Sequence, residues 1–274
     1  MAGKLNNELL KIFEETRKIS KREFFADTQC LVDFDTKVYM GDLMYYTVVK
    51  PNPTPIKVIA GGTVETGYRL SKEGRTAILN FADAVTAGGL VLAGGTTQEE
   101  NICRCSNLYE SLIRDECMEK YYIPNRENAK TTNHLYTNNV IYSRDVVIFR
   151  DDETYKFIEP KHVDVITCPA PYAIIPDDMA YSLYLTRIEQ IVLSAKVNDA
   201  RKLVLGAWGC GAFLQKPELV SKAFAVVLNE YGDLFDEIVF AIRPTPDGTG
   251  TGNGTMGIFT KTLKENYRGE VTNG

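Results

Sequence analysis

The chain has 274 residues, 44% hydrophobic and 24% charged, enough for one large domain with a sizeable core and typical of an ordinary globular protein. Its 31 Lys and Arg against 36 Asp and Glu leave a formal net charge of -5, which argues against a nucleic-acid backbone as main partner, because phosphate binding needs a basic surface. No segment approaches a membrane span and the first residues carry no apolar signal region, so a cytoplasmic location without a membrane partner is expected.

Residues 6–20 place Leu9, Leu10, Ile12, Phe13 and Ile19 among charges and predict an amphipathic helix, the centre of an N-terminal helical extension over 1–28. Short strands are predicted at 29–33 and 37–40 and, after the proline run 51–55, at Ile56–Ala60. A helix follows over 64–71, then a buried strand over 76–82. Residues 99–120 predict a helix broken near Ser106 and Asn107, followed by a polar loop over 121–139 and a hairpin of 140–143 with 146–150.

The apolar run 163–168 is a buried strand stopped by Pro169 and Pro171. Asp177–Val197 is helical, 202–206 a strand, and Pro217–Tyr231 a helix with proline in its first turn. Glu237–Ile242 is the last clear strand; 244–257, rich in Gly and Thr, reads as loop and opens a C-terminal tail over 244–274. Strands alternating with helices imply an α/β sheet covered on both faces, and nothing marks a boundary within a single domain of 1–274.

Six scattered cysteines (Cys30, Cys103, Cys105, Cys117, Cys168, Cys210) read as buried free thiols. Cys103 and Cys105 make one close pair where a structural zinc site needs two, and His134 and His162 lack ligand spacing, so no metal is expected.

Function is concentrated in residues 86–100, Thr-Ala-Gly-Gly-Leu-Val-Leu-Ala-Gly-Gly-Thr-Thr-Gln-Glu-Glu. Two glycine pairs, Gly88-Gly89 and Gly94-Gly95, let the backbone turn tightly and approach a ligand. Gln98, Glu99 and Glu100 follow at once. Adjacent carboxylates repel, and burial of either raises its pKa, which is how a general acid stays protonated near neutrality. The same residues also read as a surface loop leading into an acidic helix N-terminus.

A second glycine-rich turn, Gly206-Ala-Trp-Gly-Cys-Gly-Ala-Phe213, follows a strand and precedes a helix, an arrangement suited to an anion. Ligands in open α/β sheets lie beyond the carboxyl ends of strands, so the two loops are expected to wall one cleft. Phe213 could stack on a base or ribose, whereas Trp208 reads as core. Neither loop matches the phosphate-binding or dinucleotide signatures, which excludes an ordinary nucleotide triphosphatase or dehydrogenase.

With these residues in hand, the chain resembles the microbial-type poly(ADP-ribose) glycohydrolases, whose signature is a triple glycine, a short spacer and Gln-Glu-Glu. Leu79-Asn80-Phe81-Ala82, Cys103-Arg-Cys-Ser-Asn-Leu-Tyr109, Val165-Ile-Thr-Cys-Pro-Ala-Pro171 and Gly206 to Gly211 extend the likeness in order over most of residues 76–232. The resemblance implies a three-layer α/β/α macrodomain-like fold with a mixed sheet, binding ADP-ribose. It implies Glu100 as catalytic acid, Glu99 as the glutamate orienting the ribose, and Asn80 facing the scissile ribose. Gly88, Gly89, Gly209, Cys210 and Gly211 would wrap the diphosphate, Gln98 would join them at the substrate, and Phe213 would lie near the adenosine end.

The implied activity is hydrolysis of the ribose glycosidic bond in poly(ADP-ribose) or in ADP-ribose attached to a macromolecule, without metal or cofactor. Nucleic acid enters only as an ADP-ribosylated substrate. The triplet is incomplete, matched either by Ala87-Gly88-Gly89 or by Gly88-Gly89-Leu90, and Gln215-Lys216-Pro217 stands where the family often has Asn or Asp before proline. Two other readings share the cleft: a non-catalytic ADP-ribose-binding module, and an unrelated nucleotide-sugar or phosphate-ester hydrolase. The intact glutamate pair favours hydrolysis, since a mere binder has no need of both.

Overall fold

Alternating strand and helix patterns assemble into one mixed sheet of eight strands. The computed structural model describes residues 6–21, 35–44, 53–131, 135–172, 175–244 and 254–274. In chain order come α1 (Asn7–Ser20), β1 (Thr36–Tyr39), β2 (Ile56–Ala60), α2 (Thr63–Leu70), β3 (Thr76–Phe81), α3 (Gln98–Cys105) and α4 (Leu108–Leu112). The short α5 (Asp115–Cys117) then runs through a π-helical turn, Met118–Tyr122, into α6 (Ile123–Thr131). β4 (Val140–Arg150), β5 (Phe157–Cys168), α7 (Asp177–Val197), β6 (Lys202–Leu205), α8 (Pro217–Tyr231), β7 (Glu237–Ile242), α9 (Thr255–Asn266) and β8 (Val271–Asn273) complete it.

The strand order is β1-β4-β5-β3-β6-β7-β2-β8. β4 is antiparallel to both β1 and β5, and every neighbouring pair from β5 to β8 is parallel. Successive side chains of a strand point to opposite faces, so each strand feeds two cores. Ala77, Leu79, Leu203, Leu205, Ile238 and Phe240 pack under α7, α8 and α9. Ile78, Val204 and Val239 pack on the other side with Phe13 of α1, Val64 of α2, Ile102 of α3 and Leu108 of α4. The fold is therefore the expected α/β/α sandwich, with each fully buried aliphatic side chain worth about 1.5–3 kcal/mol. The carboxyl ends of β5, β3, β6, β7 and β2 share one edge, and the loops leaving them meet there.

Three expectations are corrected. The hairpin of 140–143 with 146–150 is one strand, β4, whose partner is β5. Arg144 and Asp145 look like a turn between apolar runs; instead Asp145 takes φ 55° and the register slips between Ser143 and Val146, a bulge within the strand. The polar stretch 121–139 is largely helical: the π-helical turn and α6 occupy it, and Pro124, which lacks an N–H, follows the π-helical turn, where the Lys120 carbonyl accepts from the Asn139 amide at 2.8 Å. The tail from 244 ends in α9 and β8, because Phe259 and Leu263, one helical turn apart, bury against the core while Val271 pairs with Ile56.

Residues 22–28 of the extension, the strand expected at 29–33 with Cys30, His134, and the loop 245–253 lie outside the described residues. α1 packs on the back of α3 and α4: Phe13 meets Tyr109 edge-on at 5.1 Å, and Thr16 donates to the Arg104 carbonyl at 2.8 Å. No helix among the described residues is long and apolar enough to cross a membrane.

Candidate active site

Where the strand ends meet, the loops enclose a cavity of about 480 Å³, a size suited to a small-molecule ligand. Its described lining carries four acidic side chains, Asp83, Glu99, Glu100 and Asp152, and one basic side chain, Arg243.

The first glycine loop carries the carboxylates. Asp83 accepts from the backbone N–H groups of Val85 (2.7 Å) and Thr86 (2.8 Å) and starts the turn. Gly89 has φ 57°, and a Cβ there would meet Glu100 Oε1 at 2.6 Å and Glu99 Oε2 at 3.0 Å. Only glycine lets the loop lie this close over the glutamates. Gly88 turns the other way, against the Tyr109 ring. Leu90, with φ -95°, needs no left-handed backbone, which is the physical reason a side chain is tolerated directly after Gly89. It lines the cavity and is 63% exposed.

Glu99 and Glu100 occupy the first turn of α3, where the helix dipole favours negative charge. Glu99 is 1% exposed. Its Oε1 accepts from the Asn80 amide at 3.2 Å and its Oε2 from the Asp83 N–H at 2.7 Å. Burial nevertheless pushes its carboxyl well above the usual range, outweighing both hydrogen bonds. Glu100 accepts from the Leu90 N–H at 2.8 Å and from the Thr97 hydroxyl. Thr97 is the N-cap residue, yet its hydroxyl serves the glutamate rather than the helix backbone.

Gln98, expected to touch substrate, lines the cavity but commits its amide to β3, accepting from Phe81 N–H at 2.8 Å and donating to the Leu79 carbonyl at 2.7 Å. Asn80 is fully buried behind Glu99 and does not line the cavity. It shares its amide between Glu99 and Thr167 Oγ1, 3.1 Å away.

The second glycine loop presents backbone instead. Gly209 has φ 82°, and a Cβ there would strike the Tyr184 hydroxyl and approach Ala170 Cβ at 2.8 Å. The loop is braced by Cys210 N–H to the Ala207 carbonyl (3.1 Å) and Gln215 N–H to the Gly209 carbonyl (3.0 Å). Between them the N–H groups of Gly211, Ala212 and Phe213 have no hydrogen-bond partner among the described residues, and all three residues line the cavity. Burial pushes the Cys210 thiol up to about 12, so it stays neutral and adds no repulsion. Trp208 is fully buried as expected, donating to the Cys168 carbonyl at 3.1 Å. Phe213 meets Tyr172 edge-on at 5.4 Å, which puts it on the β5 side of the loop.

Several cavity residues escaped the sequence reading, three of them from distant segments. Asp152 and Tyr155 come from the β4–β5 connection, which folds back over α3: Tyr155 donates to Asn101 Oδ1 at 2.8 Å, and the Asn101 amide donates to the Asp152 carbonyl at 3.3 Å. Arg243, just after β7, donates to Asp152 Oδ2 at 3.0 Å beside Gly62. Burial raises the Asp152 carboxyl despite that partner. Only the fold-back of the arm brings them together, so no local spacing marked them. Cys103 and Cys105, the tempting metal pair, are buried thiols pushed upward by desolvation.

The family model described as "Microbial-type PARG, catalytic domain" matches residues 10–151. The chain resembles the crystal structure of poly(ADP-ribose) glycohydrolase from Thermomonospora curvata, with 27% identity and a TM-score of 0.79 over 94% of this chain and 100% of that one. The same enzyme bound to the inhibitor ADP-HPD matches at 27% identity and TM-score 0.76, covering 93% of this chain and 99% of that one. The Deinococcus radiodurans enzyme in complex with ADP-ribose matches at 30% identity and TM-score 0.69, covering 79% and 86%. No curated protein matches the sequence.

Proposed function

Because this chain belongs to the microbial-type poly(ADP-ribose) glycohydrolase family, we propose that it is an ADP-ribosyl glycohydrolase whose two glycine loops divide catalysis and binding between them. The observation that carries this is the pair of adjacent glutamates roofed by Gly89 and facing a run of free backbone N–H groups across one cavity. One sheet supplies every wall, which supports reading the chain as one domain.

The diphosphate lies on the N–H groups of 211–213, which neutralise it by dipoles where the described lining offers only Arg243 as a cation. In strand order the glutamates stand over β3, while Asp152, Arg243 and Gly62 stand over β7 and β2. Strand spacing of about 4.8 Å puts the β2 end roughly 14 Å from the glutamates, enough for the diphosphate and the adenosine beyond it. The adenosine therefore takes the β2 end. Phe213, on the β5 side, then belongs beside the scissile ribose rather than near the adenosine.

Cleavage of a ribosyl bond passes through an oxocarbenium-like transition state. Glu100 protonates the leaving oxygen, then as carboxylate takes a proton from the attacking water. The Thr97 hydroxyl suits both states, because a hydroxyl donates to a carboxylate and accepts from an acid. Glu99 holds the ribose hydroxyls, and the substrate's own diphosphate helps to stabilise the cation. Asn80 acts through Glu99.

The test is release of ADP-ribose from poly(ADP-ribose) and from mono-ADP-ribosylated protein by the purified chain. Turnover of at least one substrate is expected. Calorimetric binding of ADP-ribose without release from either substrate would establish the binding-module reading instead.

A further inference from the structure

α3 carries one cation, Arg104, which is 0% exposed and does not line the cavity. Its guanidinium donates to the Gly95 carbonyl at 2.6 Å and to the Tyr155 hydroxyl at 3.3 Å, and lies over the Tyr155 ring at 5.4 Å. Neither partner is a carboxylate. A charge taken out of water with such partners is costly, so Arg104 is a poor source of stability and its contacts need another account.

Arg104 stands one helical turn beyond Glu100 on the same face of α3. Both residues hold the first glycine loop. Glu100 Oε1 accepts from the Leu90 N–H at 2.8 Å. The Leu90 carbonyl accepts from the Gly95 N–H at 2.9 Å, and the Gly95 carbonyl accepts from Arg104. These bonds close a ring in which one helix grips the loop at both ends and the ends are tied to each other. Packing inside it is tight: a Cβ on Gly95 would meet Leu90 Cβ at 2.8 Å and Glu100 Cδ at 3.0 Å. Tyr155 fixes Arg104 in turn, its hydroxyl donating to Asn101 Oδ1 at 2.8 Å and its carbonyl accepting from Arg150 at 2.7 Å.

We propose that Arg104 is a positioning residue for Glu100, acting through Gly95 and Leu90, an assignment that rests on Glu100 as the acid. A backbone N–H can only donate, so Oε1 is an acceptor in both protonation states of the glutamate. The acid proton is thereby confined to Oε2, the oxygen on the Thr97 hydroxyl. Without Arg104 the Gly95 end of the loop is released, the Leu90 N–H leaves Oε1, and the carboxyl turns away from its working orientation. The N–H groups of 211–213 lie on the other loop, so binding is spared.

The experiment combines steady-state kinetics, calorimetry and amide exchange by NMR. Arg104→Met, which keeps the bulk and removes the donors, loses about a hundredfold in kcat, the cost of a misplacement near 1 Å, while KM and ADP-ribose affinity stay close to wild type. Arg104→Lys, which retains a charged donor, recovers part of that loss. The Leu90 and Gly95 amides exchange slowly in wild type and fast in Arg104→Met, with the later amides of α3 unchanged. A folded Arg104→Met with wild-type kcat, or with those two amides still slow, overturns the proposal; so does loss of protection along the whole helix, which marks a merely structural role. Should Arg104→Met fail to fold, Tyr155→Phe takes its place: it frees Arg104 Nε and speeds exchange at the same two amides, and unchanged exchange overturns the proposal. A wild type with no glycohydrolase activity sinks the catalytic reading alone, since amide exchange still decides the clamp.

Discussion

Two glycine-rich loops face each other across the cavity, and their glycines serve different ends. In the first, Gly89 yields space to side chains, so that the backbone roofs Glu99 and Glu100 at contact distance. In the second, Gly209 yields space to the core, so that the chain passes Tyr184 and leaves the N–H groups of 211–213 turned outward. One loop holds carboxyls, the other leaves backbone donors unpaired beside the cavity. On the proposed function, the same residue type in similar sequence settings builds a proton-transfer wall and a binding wall.

The largest effect that separates the walls is expected at Glu100. Glu100→Gln should cut turnover by about 10²–10⁴-fold, the usual worth of a general acid–base group, with ADP-ribose affinity by calorimetry close to wild type. The second wall should behave inversely. Gly209→Ala forces a Cβ onto Tyr184 at a positive φ, a strain of about 1–3 kcal/mol. It should lower the melting temperature and weaken ADP-ribose binding, with kcat changed less than KM in steady-state assays.

A smaller effect concerns pH. Burial raises the Glu99 carboxyl, so the folded protein holds that proton more tightly than the unfolded chain. Stability from this group is fully present below the unfolded value, about 4.3, and is lost as pH rises through the folded one. A Gln at 99 sets an amide N–H₂ against one of two donors, so the slope matters rather than the absolute stability. The melting temperature of Glu99→Gln relative to wild type should climb between pH 4 and pH 8 by about 2–4 °C per kcal/mol; a constant difference would mean that Glu99 is not buried as described. Smallest is Leu90→Gly. The added backbone freedom costs about 0.5–1 kcal/mol and should leave kcat nearly unchanged, while the ratio of rates on polymer and on mono-ADP-ribosylated protein shifts as the cavity wall loses its exposed side chain.

Much of this was legible from sequence where one element carried its own signal. The near-continuous apolar run from Thr76 to Phe81 marks a buried central strand, and Pro217 marks the first turn of α8. Gly89, Glu99 and Glu100 announced themselves by type and spacing, and the structure brings them into contact. What stayed hidden depends on long-range packing. The burial of Tyr121 and Tyr122 needs a π-helical turn that no periodicity marks. Asp152 reaches the cavity only because the β4–β5 arm folds back on Asn101, and no residue spacing marks the Thr97 hydroxyl as a donor to Glu100. α9 was masked by the glycines and threonines leading into it.

The division of labour between the loops is tested most directly by a crystal structure of the chain with ADP-ribose bound. The diphosphate is expected on the N–H groups of Gly211, Ala212 and Phe213, the anomeric hydroxyl of the terminal ribose within hydrogen-bond reach of Glu100, and the adenine beside Arg243 and Gly62. A reversed ligand, with adenine over the glutamates and the terminal ribose at the β2 end, would contradict it.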